Sequence, residues 1–267
     1  YNVRPDEENR RGYKIIMAKA KTVFFCSNCG NEFPKWLGQC PACKEWNTLV
    51  EETVATGKNV SGGSASRGLL GISAPKPEPL ADIDINEGDS RITLGIPEVD
   101  RILGGGIVKG SLVLLAGEPG IGKSTLSLQI PLSNPALKTL YVSGEESKNQ
   151  IKLRSARLSG DEKGCLIYCE TVLENITEEI RRQKPDLVII DSVQTMYCDS
   201  LDSSPGSVSQ VREVTASLLK VAKALGVPVI LIGHITKEGS IAGPKVLEHI
   251  VDVVLQFEGE NKGSYRI

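Results

Sequence analysis

The 267-residue sequence has no uninterrupted apolar run near the ~20 residues that a membrane-spanning helix requires, and its first residues lack a signal-peptide core. Neither a helical membrane anchor nor a secretory route is written in it, so a cytoplasmic protein is expected. It also lacks a global basic excess. Lys and Arg number 31 against 33 Asp and Glu, a net charge of −2, and any contact with nucleic acid must come from local patches. No internal repeat stands out. A hydrophobic fraction of 40% suffices for a core and excludes disorder throughout. The length has room for one large α/β domain and a small module.

What is present falls into four stretches. Residues 1–16 (YNVRPDEENRRGYKII) are charged and without period, and they precede Met17, which reads like a natural start; they are expected to be an added leader outside the fold, with a native arm as the alternative. Residues 17–50 carry Cys26 and Cys29 as one C-x-x-C and Cys40 and Cys43 as another, with ten residues between the pairs. Four thiolates at that spacing converge tetrahedrally on Zn²⁺ and leave no open position, so the metal is structural. A module of this size is expected to fold only when metal binding supplies its free energy. Phe25, Trp36 and Trp46 are expected mainly to pack on this ribbon, while Cys165, Cys169 and Cys198 stand apart as ordinary thiols. Residues 51–81 shift to Ser, Gly, Thr and Pro, a linker expected to tether the ribbon without fixing its orientation.

The rest of the chain, 82–267, is organised around Gly117, Glu118, Pro119, Gly120, Ile121, Gly122, Lys123, Ser124 and Thr125. This string follows the apolar run Leu112–Ala116, precedes LSLQI, and matches the phosphate-binding pattern G-x-x-x-x-G-K-S in its strand, loop, helix setting. Its glycines let backbone N–H groups curl towards phosphate oxygens without Cβ clashes. Lys123 can reach the β- and γ-phosphates, and the Ser124 hydroxyl can ligate Mg²⁺. No N-K-x-D tetrapeptide follows to read guanine, and the nearest string, Thr236 to Gly239, lacks the aspartate. ATP, with ADP as product, is therefore the expected nucleotide.

Periodicity places strands at Thr139–Ser143, Cys165–Cys169, Asp186–Asp191 and Val229–Gly233, with helices at Ser147–Leu158, Glu174–Gln183 and Val208–Leu225. A short amphipathic helix using Val99, Ile102 and Leu103 precedes the first core strand. The alternation implies an α/β fold with a mostly parallel sheet covered on both faces, and ligands at the carboxyl ends of its strands. Asp191 closes an apolar strand where a carboxylate can hold Mg²⁺; capping the next helix is its alternative use. Glu145 follows another strand, with Glu146 as the alternate candidate, and a solvated helix-start pair is the plain reading of both. His234 ends VILIG, where a histidine bonded to backbone is the plain reading.

The string from Gly95 through Asp100, the glycine triplet Gly104–Gly106 and the phosphate loop resemble the RecA/DnaB superfamily of ATPases. Together with YVSGEES, HITKEGSIAGPKVLEH and the preceding four-cysteine ribbon, they resemble the RadA family of bacterial DNA repair ATPases, over Met17 to Ile267. The resemblance implies a RecA-like ATPase core, Glu145 as the base that orients the attacking water, and His234 as the residue that senses the γ-phosphate. It also implies a second DNA-binding loop bearing Lys237 and Lys245, and a first within residues 194–207, where Asp199 and Asp202 suit phosphate poorly. It further implies single-stranded or branched DNA as partner, a homo-hexameric ring, and a recombinase or replication protein bound through the ribbon. The family continues with a K-N-R-F-G motif, whose basic residue acts on the neighbour's ATP, and a Lon-protease-like domain. Neither occurs before Ile267, and no in-chain arginine finger is evident, so a truncated N-terminal piece is expected. The implied function is a DNA-dependent, helicase-like ATPase promoting branch migration. A nucleotide-switched adaptor and a KaiC-like autokinase are the alternatives.

Overall fold

A computed structural model of the chain describes residues 20–55, 77, 79–82, 91–234 and 246–258. Within them, near-continuous apolar runs become strands buried on both faces, as central strands of a parallel sheet must be. These are β6 (Leu112–Gly117), β7 (Thr139–Ser143), β9 (Leu187–Asp191) and β10 (Val229–His234), joined by β8 (Cys165–Cys169) and β11 (Val253–Phe257). The order is β11-β6-β10-β9-β7-β8, every neighbouring pair parallel.

Because strand side chains alternate between faces, each run fills two cores at once. Leu112, Leu114, Val188, Ile190, Val229 and Leu231 point to one face, where helices α4 (Leu173–Gln183) and α5 (Val208–Leu225) pack with Ile176, Ile180, Val214 and Leu218. Val113, Leu115, Leu187, Ile189, Ile230 and Ile232 point to the other, against α2 (Lys123–Ser133) and α3 (Lys148–Ser155) through Leu128, Leu132 and Ile151. Local signals set the helix ends. Ser147 and Gln150 form a capping box at the start of α3, and Ser207 caps α5, which stops at Gly226 with φ of 67°. Ahead of the sheet lie the two-stranded hairpin of β4 (Arg91–Ile92) and β5 (Ile107–Val108) and the helix α1 (Pro97–Ile102). In that helix Leu103 turns inward as expected, but Ile102 is 61% exposed, since one short turn covers too little of the core to bury both.

The ribbon is a three-stranded antiparallel sheet, β1 (Ala20–Cys26) between β2 (Glu32–Phe33) and β3 (Leu49–Ala55). Its orientation is set by direct contacts, contrary to the free tether expected from the linker's composition. Val23 and Phe25 join the core that holds α5. Arg212 Nη1 donates to the Gly30 carbonyl at 2.6 Å, and the Glu52 carboxylate accepts from Val208 N at 2.9 Å and Ser209 Oγ at 2.5 Å. A negative side chain at a helix start satisfies orphan N–H groups and opposes the dipole favourably. Of Phe25, Trp36 and Trp46, only Phe25 packs inward, as do Phe24 and Phe33 against the cysteines; Trp36 and Trp46 are 56% and 68% exposed.

Candidate functional site

The carboxyl ends of β6, β7, β9 and β10 lie level with one another. His234 stands beside Gly117 in the ladder, and Ser143 beside Asp191. β6 ends in the phosphate loop, β9 in Asp191 and β10 in His234, and Glu145 follows β7, so residues far apart in sequence meet at one edge. The cleft there has a volume of roughly 530 Å³ and is lined by Pro119, Gly120 and Gly122 to Thr125 of the phosphate loop together with Glu145, Glu146, Arg154 and His234. A smaller apolar cavity of roughly 320 Å³ sits near the amino ends of β6 and β11, between Leu103, Val113 and Val253, away from these groups.

The loop is shaped to take phosphate. Gly120 has φ of +75°, a left-handed backbone, and a Cβ built there would meet nothing within 4 Å, so the space beside it is open. Gly117 is needed for a different reason: its Cβ would lie 2.7 Å from the Phe257 carbonyl, so the loop is pressed against β11. Gly122, at φ of +116°, caps the start of α2, and Ser124 and Thr125 stand in its first turn and line the cleft. Glu118 and Ile121 close the intervening turn through their backbones. Lys123 is 3% exposed and donates from Nζ to the Gly117 and Glu118 carbonyls at 2.9 and 2.8 Å. Burial pulls its pKa down, opposed by the negative charges of Asp191 and Glu145. An ammonium in so dry a position, held by two carbonyls, is ready to exchange them for phosphate oxygens.

The two strand-end carboxylates have different settings. Asp191 is 3% exposed; its Oδ2 accepts from Tyr141 OH at 2.5 Å, while Oδ1 finds no hydrogen-bond partner among the described residues. Tyr141 is correspondingly resistant to ionisation: burial first, then the charge of Asp191, pushes its pKa well up. A buried carboxylate oxygen with no donor costs free energy, and a hard cation such as Mg²⁺ is the kind of group that would complete it. Glu145 is half-buried. Its Oε1 accepts from Ser192 Oγ and from His234 Nε2 at 3.1 Å, and because an ionised carboxylate only accepts, Nε2 carries the proton. The His234 bond, more than the opposing burial, holds the Glu145 carboxyl below its ordinary range. Glu146 is otherwise engaged, ion-paired to Arg154, with its backbone N–H on Ser143 Oγ. The pair of glutamates is therefore divided: Glu145 faces the loop lysine, Glu146 an arginine.

His234, read on sequence grounds as a residue bonded to backbone or a phosphate sensor, touches Glu145, and its Nδ1 has no partner among the described residues. Gln194 Nε2 reaches the His234 carbonyl at 3.4 Å, linking the segment after β9 to the end of β10. Lys237 and Lys245 lie outside the described residues, as does Thr236. Three residues of the site were not foreseen. Tyr141 was hidden inside an apolar strand, Ser192 because it is a lone serine just after β9, and Arg154 because the helix pattern gives it to solvent.

At the ribbon, Cys26, Cys29, Cys40 and Cys43 bring their sulfurs within 4.8 Å of one another. Four thiols this close, two of them buried, without a disulfide, form a closed tetrahedral donor set for zinc.

A parallel sheet with a glycine-lined phosphate loop after one strand and carboxylates ending two others defines a RecA-like phosphate-loop ATPase core, here preceded by a zinc ribbon. The chain belongs to the AAA domain family, whose model matches residues 75–240, and a rubredoxin metal binding domain model matches residues 24–51. Its relatives include the DNA repair protein RadA of Bacillus subtilis (strain 168), 48% identical over 253 residues, and that of Aquifex aeolicus (strain VF5), 51% identical over 257. Each alignment covers 94% of this chain but 55% and 54% of the relative, so the chain spans about half the length of the curated relatives it matches. Among solved structures, a KaiC-like protein from Pyrococcus horikoshii OT3 superposes with a TM-score of 0.50 at 23% identity, over 64% of this chain and 82% of that one. It shares the fold.

Proposed function

We propose that this chain is the nucleotide-hydrolysing part of a DNA repair motor, a DNA-dependent, helicase-like ATPase that moves branches in recombination intermediates. One observation carries the ATPase reading. Glu145, kept ionised by His234 and Ser192, faces a buried lysine on a phosphate loop, beside an Asp191 oxygen that lacks a partner. The DNA part rests on the relatives, which are named DNA repair proteins.

In this reading Lys123 leaves its two carbonyls and binds the β- and γ-phosphates, while the loop N–H groups hold the chain of phosphates in line. Ser124 and Asp191 would hold Mg²⁺, which supplies charge neutralisation on the phosphate oxygens. Glu145 orients a water for attack on the γ-phosphorus and takes its proton. His234, bonded to Glu145, ends the strand that leads into the segment bearing Lys237 and Lys245, the proposed DNA contacts. Loss of the γ-phosphate would thus alter the Glu145–His234 bond and pass along β10. A hexameric ring, with the neighbour supplying a basic residue from outside this chain, completes the proposal.

The test is steady-state ATP hydrolysis with and without single-stranded DNA, in this chain and in one extended to the relatives' full length, with Lys123→Ala as blank. DNA stimulation that vanishes with Glu145→Gln supports the motor. Intact nucleotide binding with no stimulation in either chain refutes it and favours a second reading, a nucleotide-switched adaptor. That alternative has its own observation, the two exposed ribbon tryptophans, Trp36 and Trp46. Retention of labelled phosphate on the protein would indicate an autokinase instead.

A further inference from the structure

We infer that Arg154 belongs to the triphosphate site, where its guanidinium, positioned by Glu146, turns its unpartnered Nη1 to an oxygen of the terminal phosphate of a bound nucleoside triphosphate. The inference rests on the ATP-binding reading above and deepens it.

Arg154 lies in the last turn of α3, three residues beyond the buried Ile151 and one before the buried Ser155, at the flank of the helix's packed face. A solvated arginine of a surface helix would turn outward from there. This one turns in, is 22% exposed, and lines the cleft with the phosphate loop and Glu145. Its Nη2 is ion-paired with a Glu146 oxygen, but Nη1 is shut off from water and has no hydrogen-bond partner among the described residues. A guanidinium has five donors in a rigid fork, suited to two oxygens at once, and a buried donor left empty is costly. An ion pair that served only to fasten α3 would leave the second nitrogen in solvent. The residue nevertheless lines the same cleft as the phosphate loop, so a small turn of the guanidinium would bring that nitrogen to the cleft, and the ligand that would satisfy it there is anionic and phosphate-like.

The connection to the reacting end is short. Glu146 follows Glu145 directly, its N–H held by Ser143 Oγ, so the carboxylate that grips Arg154 and the one that faces Lys123 leave the same strand at adjacent residues. Lys123 approaches from the loop side and Arg154 from the α3 side. A diphosphate would use the first alone; the third phosphate is what brings the second into contact.

Isothermal titration of the 267-residue chain with Mg²⁺–ADP and with Mg²⁺ and the non-hydrolysable triphosphate AMP-PNP tests this. Arg154→Ala is expected to weaken AMP-PNP binding about tenfold or more, while ADP stays within about threefold. Since that variant strips Glu146 of its counter-charge, the decisive comparison is Glu146→Gln against the double variant Glu146→Gln, Arg154→Ala, which has neither charge. A loss of about tenfold for AMP-PNP between those two supports a direct phosphate contact. Equal losses for both nucleotides, or no loss on this background, overturn it and leave Arg154 a partner of Glu146 only. Lys123→Ala separates the layers: if it abolishes both nucleotides while Arg154 variants fail to discriminate, only this inference falls. If the unaltered chain binds neither nucleotide, the ATP reading falls as well.

Discussion

Removing one hydroxyl from Tyr141 should reveal how much its buried bond to Asp191 contributes to the fold. Tyr141 and Asp191 are 1% and 3% exposed, and the phenol donates to one carboxylate oxygen at 2.5 Å; the other oxygen has no partner among the described residues. Tyr141→Phe keeps the ring and creates almost no cavity, so the packing contribution is small. What is lost is a hydrogen bond to a charged acceptor, about 1.5–3 kcal/mol. A loss of about 2 kcal/mol in a domain of this size lowers Tm by roughly 4–8 °C. In an Asp191→Asn background the acceptor is neutral and the same change should cost only about 1 kcal/mol. The assay is urea unfolding followed by far-UV circular dichroism at saturating zinc, comparing midpoints at constant slope across the four proteins. A cost under about 0.5 kcal/mol, or the same cost in both backgrounds, would show that Asp191 is stabilised by something other than Tyr141.

Three further outcomes follow from the same geometry. Gly144→Ala would set a Cβ 2.2 Å from Thr195 Oγ1 and 2.9 Å from its Cβ, so a stability loss of about 1–3 kcal/mol is expected, with ATP hydrolysis falling further than nucleotide affinity as Glu145 is displaced. Calorimetric binding beside turnover checks it, and unchanged turnover would argue against Glu145's position mattering. Glu52→Gln should cost about 1 kcal/mol by weakening the grip on Val208 N and Ser209 Oγ, and a strong zinc chelator should remove that grip along with the ribbon's fold. If urea midpoints of the chelated protein and its Glu52→Gln form still differ, the ribbon docks without its metal. For pH, Glu145 has a folded pKa below its unfolded one, so its bonds to His234 and Ser192 contribute fully above the ordinary glutamate range and are lost as pH falls through the lowered value. His234→Ala should move the Glu145 titration, read by carboxyl NMR, upward; an unmoved midpoint would place the cause in Ser192 or Lys123.

Much of this arrangement was legible in the chain. The strands β6, β7, β8, β9 and β10 announce themselves as short apolar runs, and the phosphate loop and paired cysteines depend on spacing within a dozen residues or so, which a linear pattern preserves. What stayed hidden was long-range or two-sided. Strand β11, VVLQF, alternates between exposed and half-buried positions and carries no turn signal as strong as the glycines elsewhere. Ser192 and His234 reach Glu145 across sequence separations of 47 and 89 residues, and no local pattern encodes such meetings. The ribbon's placement depends on Glu52 meeting Ser209, 157 residues away, while the intervening composition spoke only of slack. Ile102 and the two ribbon tryptophans failed in the opposite sense: they are apolar by type, and the fold leaves them outside.

The order in which the strands are laid down has a consequence for how the protein is made. β6, which presents the phosphate loop, lies between β10 and β11, and the Asp252 carboxylate holds Leu112 N at 2.8 Å from 140 residues downstream. A nascent chain therefore synthesises its most apolar strand early and must keep it unpaired while more than a hundred residues emerge. Contacts of such span close slowly, and an open apolar strand is an invitation to misassociation in the meantime. Chains halted before residue 229 should accordingly be ward-cases for chaperones, unable to hold nucleotide however complete their glycine loop, whereas release through Phe257 seats both flanking strands and lets the loop take shape.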